Sequence, residues 1–117
     1  MKKCLLPILL LCPFIIVTAQ TTSVLFIGNS YTASNNLPQL FSDLALSMGD
    51  TVIVDSNTPG GYTFQGHTTN ATTLAKINTQ PWDFVFLQEQ SQLPSFSPPQ
   101  VAVDVYPYAR MLDSLIY

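Results

Sequence analysis

The 117 residues carry 4 Lys and Arg against 7 Asp and Glu, a net charge of −3, and only 9% of them are charged. An acidic chain without clustered basic residues lacks the surface that neutralises phosphate, which argues against nucleic acid or an anionic membrane as partner. The length permits one domain with a modest core.

The first residues read as a targeting segment. Lys2 and Lys3 form a positive n-region, Leu5 to Val17 a short apolar h-region, and Val17-Thr18-Ala19 a small-residue cleavage pattern. Residues 1–19 are therefore predicted to be a signal peptide, cut after Ala19 or, as the next choice, after Gln20. Residues 20–117 then form the exported domain, periplasmic or secreted. Pro7 and Pro13 interrupt an apolar run already too short for a stable membrane anchor. Cys4 and Cys12 both lie in this segment, so the mature domain is expected to hold together without disulfides.

Val24-Leu25-Phe26-Ile27 is an unbroken apolar run, the mark of a strand buried on both faces, and Gly28-Asn29-Ser30-Tyr31-Thr32 ends it abruptly. Ser30 is thus delivered to the strand's carboxyl end, where open parallel α/β sheets bind their ligands. Asn35-Asn36 with Pro38 opens a helix. Leu37, Leu40, Phe41, Leu44, Ala45 and Met48 follow at helical spacing, a stripe expected to pack on the sheet, and Gly49 stops the helix.

Thr51 to Ser56 reads as a second strand, and its link to the first through a helix predicts parallel pairing. Beyond it, Gly60-Gly61 lets the backbone approach a ligand closely, although Pro59-Gly60-Gly61 is equally an ordinary loop. Thr69 or Asn70 caps a short helix through Ile77. Trp82 to Leu87 is a third strand, ending in Gln88-Glu89-Gln90-Ser91. A proline-rich loop leads to one last helix, predicted from Pro99 or Gln100 to the chain's end. The order strand, helix, strand, helix, strand, helix describes the first half of a flavodoxin-like, three-layer α/β/α fold with a parallel sheet. It reads as a domain cut after its third βα unit.

Three strand ends therefore offer Ser30, a diglycine backbone, and the carboxamides of Gln88 and Gln90. Acyl transfer requires such a set: a nucleophile, and donors aimed at the oxygen that becomes negative. On these residues Val24 to Ser91 resembles the N-terminal part of an SGNH hydrolase, the GDSL-like esterase and lipase family. Gly28-Asn29-Ser30 matches its first block, and Gly61 in Gly61-Tyr62-Thr63 matches the glycine of its second. Gln88-Glu89-Gln90-Ser91 replaces the usual Gly-x-Asn-Asp of the third.

The resemblance implies an exported serine esterase hydrolysing O-acyl groups, with acetyl esters on carbohydrate as the favoured substrates and no cofactor. Ser30 would be nucleophile and oxyanion amide, Gly61 a second oxyanion amide, and Gln90, or Gln88 instead, the third donor. Asn29, Tyr31, Gly60, Tyr62, His67 and Glu89 would face the substrate. The family's Asp-x-x-His block has no counterpart here, since Asp113-Ser114-Leu115-Ile116 has isoleucine where histidine is required. His67, the single histidine, is read as loop-ordering or substrate-facing rather than as the base.

Two other readings compete. A noncatalytic carbohydrate-binding module would use Tyr31, Tyr62, Phe64 and Trp82 as flat apolar platforms. A flavin or phosphate binder would cradle phosphate in the loop from Gly28 to Thr32. Asp83 and Glu89 as a glycosidase pair are disfavoured by their placement at opposite ends of one strand. Neither they nor His67 has metal-ligand spacing.

Overall fold

The computed structural model describes residues 21–117, so the predicted signal peptide lies outside the described residues. Its centre is β1, Thr22–Ile27, whose last five residues are all buried. β2 (Val52–Asn57) and β3 (Phe84–Leu87) pair with it in parallel on either side, giving the order β2-β1-β3. That is the order of the first three strands in a flavodoxin-like sheet. Placing the most apolar strand in the middle is what burial energetics demands, because only a central strand is covered on both faces.

Helices flank both faces. On one, Phe41 of α2 (Leu37–Ser47) meets Phe26 edge-on, and Phe26 stacks on Phe86 at 5.0 Å between ring centroids. On the other, Leu25 and Ile27 pack with Ile77 of α4 (Ala71–Ile77) and Ile116 of α6 (Tyr106–Ile116). A second cluster beside the sheet joins Phe64 of α3 (Phe64–Thr69) to Leu112 on α6 and to Val101 of α5 (Pro98–Asp104) and Val105. The chain is an α/β protein with a parallel sheet between helical layers.

Three expectations change. The stripe on α2 is only partly a core face: Phe41 and Ala45 are half-buried, but Leu37, Leu40, Leu44 and Met48 stand exposed. Beside them, Phe84 and Phe86 on the edge strand are 60% and 50% exposed, so that side of the sheet has no second helix over it among the described residues. The last helix is two, because Pro107 has no N–H to continue the ladder and the chain bends at Val105 (φ −118, ψ −55). A further helix, α3, forms where a loop was expected.

The far end of the sheet is closed separately. Asp83 accepts from the Ser23 N–H at 2.7 Å and from its hydroxyl at 2.9 Å, and those bonds hold its carboxyl below the usual carboxylate range. Asp83 therefore anchors the start of β3 to β1, at the opposite end of the strand from Glu89, and the two are not paired. Trp82 sits at the same end, its indole N–H donating to Lys76 O.

Candidate active site

The carboxyl ends of three parallel strands put Ser30, Gly61 and Gln90 on loops at one edge of the sheet. Asn29 ties these loops together. It is the N-cap of α1 (Ser30–Ala33), its Oδ1 accepting from Tyr31 N at 3.1 Å. Its Nδ2 donates to Tyr62 O at 2.9 Å, across to the diglycine loop, and its backbone N–H donates to Gln88 Oε1 at 3.0 Å, across to β3. With every polar atom engaged and 1% exposure, Asn29 organises the site and does not face a substrate.

Ser30 opens α1 and is exposed, and among the described residues neither its Oγ nor its backbone N–H has a protein partner. A free amide in the first helical turn is one of the orphan donors that helix geometry leaves over. Gly61 offers another. Tyr62 N donates to Pro59 O at 3.3 Å, closing a turn whose third residue, Gly61, has φ +71. That left-handed conformation suits glycine, and the Gly61 N–H, at the surface, has no partner among the described residues.

The two glutamines divide sharply. Gln88 is mostly engaged: its Oε1 takes Asn29 N and the Thr32 hydroxyl (2.9 Å), and one N–H of its Nε2 donates to Glu89 O. It holds the turn before Ser30 through that oxygen. Gln90 has its Oε1 fixed by Gln92 N at 2.7 Å and Leu93 N at 3.2 Å. Because both bonds take the oxygen, the Nε2 of Gln90 is the end left to donate.

His67 and Glu89 also turn inward. His67 is 0% exposed, with Nε2 2.8 Å from Gly28 O and Nδ1 2.7 Å from the Thr73 hydroxyl. From α3 it bonds the turn after β1 and α4, and it neither contacts Ser30 nor faces solvent. Glu89 is buried and accepts from Phe64 N and Gln90 N, at the start of α3. Of the expected substrate-facing residues, Tyr31 (66% exposed) and Gly60 are on the surface. Tyr62 is half-buried, its ring edge-on to His67 and its hydroxyl accepting from Asn70 Nδ2.

Sequence reasoning missed the Thr32 and Thr73 hydroxyls, which bind Gln88 and His67. The aromatic platform of the binding-module reading also dissolves: Phe64 is core and Trp82 lies at the other end of β3. Comparison with protein-family models, characterised proteins and solved structures yields no match.

Burial pushes the His67 imidazole below its ordinary value of 6.5, a shift that the bond to Gly28 opposes. The unfolded chain therefore binds this proton more readily than the folded one. Stability is complete above 6.5 and declines as pH falls below it toward the folded value. A series of urea melts between about pH 8 and pH 5 should show a midpoint flat at first and then falling. His67 is the single histidine, so most of the slope should be lost in His67→Gln.

Proposed function

We propose that this chain bears the nucleophile and oxyanion site of an exported serine esterase of SGNH hydrolase type, acting on O-acyl esters, acetyl esters of carbohydrate foremost. The observation carrying the reading is the set of groups at one sheet edge that have no partner among the described residues: the Ser30 hydroxyl and amide, the Gly61 amide and the Nε2 of Gln90. Around them the side chains of Asn29, Gln88, Glu89 and His67 are bonded within and between these loops. Ser30 Oγ would attack the ester carbonyl. The N–H groups of Ser30 and Gly61, with Gln90 Nε2, would stabilise the developing oxyanion.

The base is not among the described residues. A serine at its ordinary pKa is a weak nucleophile, so turnover of p-nitrophenyl acetate by this chain alone should be slight or nil. The test is covalent. With imidazole added as an external base in place of the one the described residues lack, a fluorophosphonate probe should label the full chain at Ser30, as located by peptide mass, and Ser30→Ala should take no label. Gln90→Ala should slow labelling by about a hundredfold, the usual effect of losing one oxyanion donor. An unlabelled Ser30 in folded protein would defeat the esterase reading.

A further inference from the structure

The peptide that leads into Ser30 is held from both sides by a closed ring of hydrogen bonds. Gly28 N donates to Asn57 O at 3.1 Å. Asn57 Nδ2 donates to the Thr73 hydroxyl at 2.7 Å, which bonds His67 Nδ1 at 2.7 Å, and His67 Nε2 returns to Gly28 O at 2.8 Å. The ring joins the end of β2, α4, α3 and the turn after β1. A carbonyl oxygen only accepts, so Nε2 must carry the imidazole proton. Nδ1 is then the acceptor, and Thr73 donates to it.

We propose that His67 is a positioning residue for Ser30: held as the Nε2–H tautomer by Thr73 and Asn57, it clamps Gly28 O and so sets the orientation of the turn presenting the hydroxyl. This rests on the reading of Ser30 as nucleophile. A second proton on Nδ1 would point at Thr73 Oγ1, forcing that hydroxyl to turn toward Asn70 Oδ1, 3.3 Å away. Asn70 Oδ1 already accepts from Thr73 N and Asn57 Nδ2. The clamp thus works with a neutral histidine.

The groups on surrounding elements are accounted for. Tyr62 presents its ring to the imidazole, Glu89 is spent on backbone amides, and Lys76 pairs with Asp55. Arg110 and Asp113 on α6 are exposed, as is Tyr106, while Tyr108 packs against the Phe64 cluster. The imidazole is lowered by burial, against the opposing bond to Gly28 O.

Long-range proton–nitrogen spectra of the labelled full chain at neutral pH should show one tautomer, Nε2 protonated and Nδ1 bare. On acidification the amide resonances of Asn29 and Ser30 should titrate with the His67 ring. His67→Leu should displace both amides and slow fluorophosphonate labelling of Ser30 by about a hundredfold, the effect of misplacing a reacting atom by about 1 Å. His67→Gln, whose Nε2 can donate to Gly28 O, should restore most of both.

An averaged tautomer in the wild-type chain, or folded His67→Leu with unmoved Asn29 and Ser30 amides, overturns the proposal. The tautomer is read without any substitution, so a variant that fails to fold does not protect the idea. If Ser30 never takes the probe while tautomer and titration are as described, the esterase reading fails and the clamp stands.

Discussion

Gly28→Ala is expected to lower the unfolding free energy by about 3 kcal/mol, combining overpacking with the loss of local hydrogen bonds. A Cβ at residue 28 would lie 2.5 Å from Thr32 Oγ1 and 2.8 Å from Gln88 Oε1. Those two atoms are hydrogen-bonded to each other, so the methyl strikes both ends of one bond. Neither can step aside cheaply: Thr32 belongs to α1, and Gln88 Oε1 also accepts from Asn29 N. Gly60→Ala is the control, since nothing lies within 4 Å of a Cβ there and its φ is not positive. Guanidinium melts should show a large midpoint drop for the first variant and almost none for the second. Equal midpoints would mean that the turn before Ser30 is far looser than its contacts require.

How far the sequence discloses this arrangement varies with the kind of signal. β1 is legible because four apolar residues between polar breaks admit few alternatives, and its central, parallel placement follows from burial on both faces. Of the two caps expected for α4, Thr69 or Asn70, it is Asn70 whose Oδ1 accepts from Thr73 N at 2.9 Å; capping is local chemistry and so leaves a local signal. α3 is illegible for the opposite reason. Phe64-Gln65-Gly66-His67-Thr68-Thr69 has no apolar stripe and contains a glycine. It is helical through its Thr63 cap, its contact with Glu89 and its packing on α6.

The site divides along the same line. That polar groups gather at the strand ends is visible in the chain, but which of them turn inward is not. Gln88 and Gln90 are chemically identical and two residues apart, yet Thr32 and Asn29 capture one while the other keeps a free amide. The α2 stripe fails differently. Periodicity reports that Leu40, Leu44 and Met48 share a face, and it carries no information on whether anything covers that face.

Glu89→Ala should be the second large effect, again about 3 kcal/mol, because it strips a charged acceptor from buried backbone donors. Glu89 Oε1 accepts from Phe64 N at 2.9 Å and Gln90 N at 2.6 Å, and Oε2 approaches Phe64 N at 3.1 Å. The carboxylate thus binds the exit of β3 to the first turn of α3, where negative charge is also favoured by the helix dipole. Glu89→Gln keeps one oxygen and the side chain's volume but loses the charge, so it should fall between wild type and alanine. The consequence reaches the site from two sides, since α3 carries His67 and the β3 exit carries Gln90. Hydrogen exchange at the Phe64 and Gln90 amides should accelerate in both variants, and Ser30 labelling should slow with them. If a folded Glu89→Ala kept its stability and its slow exchange at Phe64, the carboxylate would not be structural. Glu89 would then return to the substrate-facing role that the family resemblance implies.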